Sequence, residues 1–426
     1  MALPKIFNRA RMTTATAGTG TVTLASAVTS FATFAEASIL DGDLVHYLME
    51  EGNDFEIGIG TYTAAGTTLS RDTVILSKIG GAAGTTKMTL AGTATVSLVV
   101  AAQDHATQNF NLLQNISLAV SASGSALTIA LKDAFGNDHS AVTPGYIGFR
   151  SATGTTSVPV MRANRAALSV VIPSTALMGV TTATAFRLWV GIFDDAGTLR
   201  LGVVNCLLGT PSAPTGIYPL RDNILASSTT IGVGSDSAGV IYSDTGVSAK
   251  AFRILGYVEW NTSGVTAGTW TTTNIALVQL FGPGVSKPGD VVQVKQGTTS
   301  TAKDSTSSTY EDTNLSVAIT PTSAANAVLV AYSGLARNAE NTASNIIGLH
   351  RDSTQVGPIG LGIFINTNVN QCAGLAAEYL DMPQSASSIT YMPKIKASIG
   401  SAGTVTFAYQ ALGTTVAVIT AKELMV

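Results

Sequence analysis

The run Thr313-Asn314-Leu315-Ser316-Val317-Ala318-Ile319-Thr320-Pro321 switches between apolar and polar from residue to residue and stops at a proline. A period of two sends alternate side chains to opposite faces of a strand, so one face must be buried and the other wet. Pro321 cannot donate to a ladder and marks the strand's end. Such a strand needs neighbours, and the sequence supplies them. Residues 327–332 (Ala-Val-Leu-Val-Ala-Tyr) form a nearly continuous apolar run, as an interior strand does. Residues 405–409 and 415–420 add two β-branched strands, with Gly413-Thr414 as the turn between them. Short strands punctuated by turn residues predict a sandwich or jelly roll for this part of the chain.

Composition extends that expectation to the whole chain. Of its 426 residues 46% are hydrophobic and only 12% charged, about half the charged share usual in soluble domains. Thr and Ser dominate the polar positions, and Thr suits a pleated, half-buried surface. Helix formers with long charged side chains are scarce, which argues against a helical or coiled-coil stalk. With 42 Gly and 13 Pro the chain has turns in plenty without a disordered composition. A net charge of −3 with no basic cluster disfavours binding nucleic acid by counterion release, and a hydroxyl-rich surface suits sugars or proteins better. Cys206 and Cys372 are too far apart for a disulfide framework and are expected to be small buried apolar residues. Met1-Ala2-Leu3-Pro4-Lys5 opens no signal-peptide core, and no run of about 20 apolar residues offers a spanning helix. The expectation is a protein made in the cytoplasm that stays soluble and inserts in no membrane.

Three antiparallel β domains in series are predicted: a small β domain over residues 1–105, a β-sandwich over 106–296, and a jelly-roll-like sandwich over 297–426. In the first, strands are expected at 20–24, 44–49, 54–63 and 95–100, with a hairpin turning at Glu51-Gly52-Asn53. Residues 104–114 lack Gly and Pro and are read as a short linking helix. In the second, strands are expected at 126–131, 168–172, 186–193, 199–204 and 253–260, with a hairpin turn at 194–198. Residues 296–308, rich in Gly, Thr and Ser, read as an exposed tether. No repeat of fixed period supports a β-solenoid.

The first segment resembles an N-terminal domain common in bacteriophage tail-fibre and related virion proteins. The resemblance lies in Arg9-Ala10-Arg11-Met12-Thr13-Thr14-Ala15-Thr16-Ala17-Gly18-Thr19-Gly20, Asp41-Gly42-Asp43, Phe55-Glu56-Ile57-Gly58-Ile59-Gly60-Thr61-Tyr62-Thr63, Thr68-Leu69-Ser70-Arg71 and Leu90-Ala91-Gly92-Thr93-Ala94. The middle segment is similar to another phage-fibre module through Phe186-Arg187-Leu188-Trp189-Val190, Arg200-Leu201-Gly202-Val203-Val204-Asn205-Cys206, Ile217-Tyr218-Pro219-Leu220 and Gln279-Leu280-Phe281-Gly282-Pro283-Gly284-Val285. The third resembles distal fibre domains through residues 313–322 and 378–391, where Glu378-Tyr379-Leu380-Asp381-Met382-Pro383 precedes Ile389-Thr390-Tyr391. The resemblance implies a structural virion protein, a homotrimeric tail fibre subunit. Residues 1–105 would dock on tail or capsid proteins, and the distal domain would meet a host surface glycan or protein. A capsid decoration fibre or a tail adaptor without receptor binding is the alternative. The apolar stretch 356–365 could face a trimer axis or an ordinary sheet interior.

No catalytic, cofactor-binding or metal residues are assigned, and the binding residues are unknown. His46, His105, His139 and His350 have no ligand partner at metal spacing, although a trimer axis could gather three copies of His350 around iron or zinc. Asp133-Ala134-Phe135-Gly136-Asn137-Asp138-His139 loosely resembles a calcium loop but lacks the closing acid, and is read as a turn. Asp41-Gly42-Asp43 is likewise a turn. Glu50 with Glu51 and Asp194 with Asp195 are adjacent in sequence and cannot face each other across a sugar, so no glycosidase is expected; nor does any G-x-S-x-G elbow occur. Residues 80–84 are glycine turns without the strand-to-helix context of a phosphate cradle, and the Asn115, Asn261 and Asn314 glycosylation patterns are chance matches. Trp189 is read as core; Trp260 and Trp270 are read as core or interface, with a sugar-stacking platform as the alternative.

Overall fold

The computed structural model describes residues 9–100, 113–141, 143–150, 159–222, 225–261, 266–339, 345–357, 361–363, 371–397, 404–409 and 415–426. The chain is all-β: among the described residues the only helical turn is the 3-10 segment Ala64–Gly66. The paired strands are antiparallel apart from the short Thr229–Thr230 and Tyr242–Ser243 pair. The chain divides into two compact units, Met1–Leu112 and Leu113–Val426.

In the first unit an eight-stranded sheet is built around the hairpin of Leu44–Glu51 and Asp54–Thr63, which turns at Gly52 and Asn53 as the sequence predicts. Arg11–Thr14 and Ala94–Leu98 extend one side, and Thr73–Ile79 pairs with the other. The core holds Met12, Phe34, Val45, Tyr47, Met49, Leu69 and Val96. Inward-facing Glu56, Gly58, Gly60 and Tyr62 alternate with half-exposed Ile57 and Ile59. A Cβ on Gly60 would stand 1.9 Å from the Ser70 carbonyl oxygen, so only glycine lets the loop after Thr68–Leu69 lie this close.

The second unit contains a central seven-stranded sheet with Phe186–Asp195 between Lys250–Trp260 and Thr198–Val204. Nine of ten residues of Phe186–Asp195 are buried, because both faces are covered. On one face lie two three-stranded sheets, one of them Ser117–Ser123, Ala126–Lys132 and Leu168–Ile172, closing a core of aliphatic residues and two tryptophans. On the other, Trp189, Phe193, Phe252 and Cys206 pack with Leu220 and Met425. Each such buried side chain contributes roughly 1.5–3 kcal/mol relative to exposure.

The C-terminal portion is a two-sheet sandwich. One sheet runs Val291–Thr299, Ala417–Leu424, Ala327–Asn338, with Gln371–Asp381 and Val405–Phe407 both on the last strand; the other centres on Asn345–Arg351 and Ile389–Ala397. Residues 313–321 alternate buried and exposed along their whole length, and Ala327–Asn338 is an interior strand, both as expected. The tether expected over 296–308 is a correction. Val291–Thr299 is a full edge strand on Ala417–Leu424, and Lys303–Ser305 pairs with Val405–Phe407. Hydroxyl-rich composition here reflects an edge that faces water, not a linker. The helix expected over 104–114 lies mostly outside the described residues, and its last two residues, Leu113–Gln114, form a short strand. The Gly413-Thr414 turn and half of the apolar stretch 356–365 also lie outside them.

Candidate functional site

Residues 378–391 contribute to a clamp between the two sheets of the sandwich. Asp381 ends a strand of one sheet, and its Oδ2 accepts hydrogen bonds from Arg351 Nη1 (2.7 Å) and the Tyr391 hydroxyl (2.6 Å) of the other. Burial and the neighbouring Asp381 charge push the Tyr391 phenol well above its usual range. The arrangement has its acid neutralised by arginine and holds two layers together.

A second buried polar network joins the middle sheets to the sandwich. Arg187 Nε donates to Glu259 (2.6 Å), and its Nη1 donates to Asn326 Oδ1 (2.6 Å) and to the Val426 main-chain oxygen (3.2 Å). Asn326 Nδ2 donates to Glu423 (2.5 Å), a carboxylate wholly withdrawn from water that also accepts from Gln293 Nε2, Thr322 N and the Thr322 hydroxyl. Burial raises the Glu423 pKa, but these donors outweigh it and the net displacement is downward. Ser323 closes the chain on Glu259 (2.7 Å), and Gln384 bridges to the Ala185 backbone.

The residues weighed for chemistry are placed in structural roles. Glu50 pairs with Arg11, and Glu51 accepts backbone N–H groups from Ala91 and Thr93. Asp194 holds Arg162 and the Gly197 N–H, while Asp195 holds Arg200 and Lys250. Asp133 Oδ1 accepts from the N–H groups of Phe135 and Asn137, so that loop is an Asx turn. Asp41 and Asp43 cap the Ala64 and Leu40 N–H groups. His139 bridges Asn115 and Asn164, His46 is buried, and His105 lies outside the described residues. His350 stands edge-on to Tyr310 with ring centroids 4.9 Å apart, and burial lowers its pKa. Among the described residues, no three His, Cys, Asp or Glu side chains gather where a metal ion could be held.

The tryptophans are settled by burial. Trp260 stacks on Phe186 (4.8 Å, 9°) and Trp270 meets both edge-on, each at most 4% exposed, so the sugar-stacking alternative is ruled out at these positions. Trp189 is fully buried as expected. Cys206 is buried, but Cys372 is exposed, contrary to expectation: it stands on the outward side of Gln371–Asp381. Sequence reading missed the Glu56–Arg71 pair of the first unit and the Glu423 network, although an acid inside an alternating apolar strand was a signal for both.

Two open grooves lie among the described residues. One of about 460 Å³ lies on the outer face of the sheet formed by Ser117–Ser123, Ala126–Lys132 and Leu168–Ile172, floored by Ala119, Ser121, Thr128 and Ala130 and edged by the Lys132–Asp138 ion pair. The other, about 420 Å³, lies on the sandwich over Ala331, Ser333, Ala376, Glu378, Val418 and Thr420. Among the described residues no helix is long and apolar enough to cross a membrane.

No protein-family model matches the chain, and neither does any curated protein. Among solved structures there is weak similarity to viral capsid proteins. The infectious bursal disease virus VP2 subviral particle aligns at 10% identity over 74% of this chain and 82% of that one, with a TM-score of 0.21. The Gt strain of the same virus aligns at 12% identity over 74% and 78%, also at 0.21. An exo-beta-1,3-galactanase from Phanerochaete chrysosporium aligns at 9% identity over 91% and 97%, at 0.14. Superpositions this loose transfer neither residue roles nor activity.

Proposed function

We propose that this chain is a structural bacteriophage virion protein without enzymatic activity, a tail fibre subunit that self-associates as a homotrimer. The observation that carries this reading is the ordered set of fibre-like residues between Arg9 and Ala94, which fall within one compact β unit with its own core. Residues 1–105 would attach to the particle, and residues 297–426 would meet a glycan or protein of the host surface. Three weak sites per fibre and several fibres per particle raise the effective concentration without further contacts. Engagement of Glu50, Glu51, Asp194 and Asp195 in structural bonds supports a binding role over a hydrolytic one.

Gold-tagged antibody against residues 297–426 on intact virions tests the reading. Gold at the ends of tail appendages is the expected result. Gold over the capsid or at the head–tail junction would make the protein a decoration fibre or adaptor, and unlabelled particles would overturn the virion assignment.

A further inference from the structure

The two outer faces of the C-terminal sandwich differ in kind. Strand Ile389–Ala397 turns Thr390, Met392, Lys394 and Lys396 outward, the polar surface expected of a sheet with one wet side. The opposite sheet does the reverse. Register places Val294, Lys422, Leu329 and Leu380 in one cross-strand row and Gln296, Thr420, Ala331 and Glu378 in the next. Their strand neighbours Val328, Val330, Ile419 and Ala421 are buried in the core, so both rows point away from it. Val294 is 54% exposed. The hairpin of Leu207–Thr210 and Ala213–Ile217 packs on Leu380 and Leu424 at one end. Beyond it the open groove continues over Ala331, Ser333 and Ala376.

The two rows carry one charge of each sign, Lys422 and Glu378, while Arg337 and Asp304 lie farther along the same face in the row of Thr406. Among the described residues, neither Lys422 nor Glu378 has an ion-pair partner in its own chain, whereas most other acids of the sandwich are held by a cation or by hydrogen bonds. They stand two strands apart, about 10 Å by sheet spacing, and one row out of step, beyond the reach of each other's charge in a salt bridge. A surface with an isolated Lys and an isolated Glu set in apolar and hydroxyl groups is complementary to itself.

We infer that a second copy of this chain seats on this face, with Lys422 of one copy against Glu378 of the next. A three-fold cyclic arrangement satisfies that pairing. The inference rests on the self-association proposed above and names the surface that makes it.

The test is light scattering of the full chain across a concentration series, with Lys422→Glu, Glu378→Lys and the double exchange, each checked for unchanged β-sheet circular dichroism. Wild type is expected to assemble. Each single exchange places like charges together and should weaken assembly by at least about tenfold, and the double exchange should restore it. Ser333→Arg, on the exposed groove floor, gives a second block that does not depend on the charges. An assembled wild type unaffected by the single exchanges and by Ser333→Arg would overturn this face while leaving self-association intact. A monomeric wild type would overturn both.

Discussion

Arg71 and Glu56 form an ion pair in the first unit with both side chains fully withdrawn from water. Around them the Tyr47 hydroxyl donates to Glu56 (2.6 Å), the Met88 N–H donates to Glu56 (2.6 Å), and Arg71 donates onward to the carbonyls of Met88 and Gly18. Burial alone would raise the Glu56 pKa, but Arg71, Tyr47 and Met88 together bring it below the usual carboxylate value. Two buried charges with nearly every lone pair and proton engaged fix which strand faces inward.

Removing one partner leaves the other charged and unpaired. Arg71→Ala is expected to destabilise the protein by about 3–5 kcal/mol, read as a lower urea midpoint for the first unit. An unchanged midpoint would mean that water reaches Glu56.

The same pair predicts an acid dependence. Because the folded Glu56 pKa is depressed, its contribution is fully present above the unfolded value of about 4.3 and is lost as pH falls through the folded value. The stability gap between wild type and Glu56→Gln should therefore be constant from neutrality down to about pH 5 and shrink below it. Denaturant curves at a series of pH values measure the gap, and a gap that grows on acidification would contradict the assignment.

These cases show how far sequence reaches. Strand Asp54–Thr63 and its hairpin were legible from alternation and from Gly52. Its inward face was not. Apolar content alone points Ile57 and Ile59 to the core, yet Glu56, Gly58 and Gly60 face it, because the glycines make room for the Tyr47 ring and the Ser70 carbonyl, and Arg71 supplies the charge. The partner that decides the matter is 15 residues away, a separation that no local pattern reads. Composition misled at residues 296–308 for a related reason: a hydroxyl-rich edge strand and a linker have the same residues, and only the distant strand Ala417–Leu424 tells them apart. Alternation, turn residues and composition pointed to the all-β class, but the outer sandwich face depends on register between strands up to about 130 residues apart.

Gly297 tests that edge strand. A Cβ there would stand 1.9 Å from the Ser316 carbonyl oxygen, so Gly297→Ala must push Val291–Thr299 off its neighbour. A loss of about 1–3 kcal/mol is expected, as for overpacking elsewhere. In a flexible tether the same change would be neutral, so the urea midpoint separates the two descriptions.

The cysteines should react at very different rates. Cys206 is buried, and desolvation pushes its thiol far above the ordinary range, whereas Cys372 is exposed. Under native conditions maleimide should modify one thiol promptly and the second only on unfolding. Peptide mapping that finds Cys206 labelled in the folded protein would show that its core opens.

Asn326 is the hinge of the network that joins the middle sheets to the sandwich, since it accepts from Arg187 and donates to Glu423. Asn326→Ala strips a donor from the buried Glu423 carboxylate and an acceptor from Arg187, a loss of about 2–4 kcal/mol when each buried group forfeits roughly 1–3 kcal/mol or part of it. The larger consequence concerns cooperativity. All three tryptophans report on the middle sheets, and a dye on Cys372 reports on the sandwich. In wild type the two signals should change together with urea, as they do for a single cooperative body. In Asn326→Ala the sandwich should unfold first, separating the two midpoints. Coincident, unshifted transitions in the variant would mean that the apolar contacts of Met382, Ala327 and Val426 with Leu207 hold the two parts together without the polar relay.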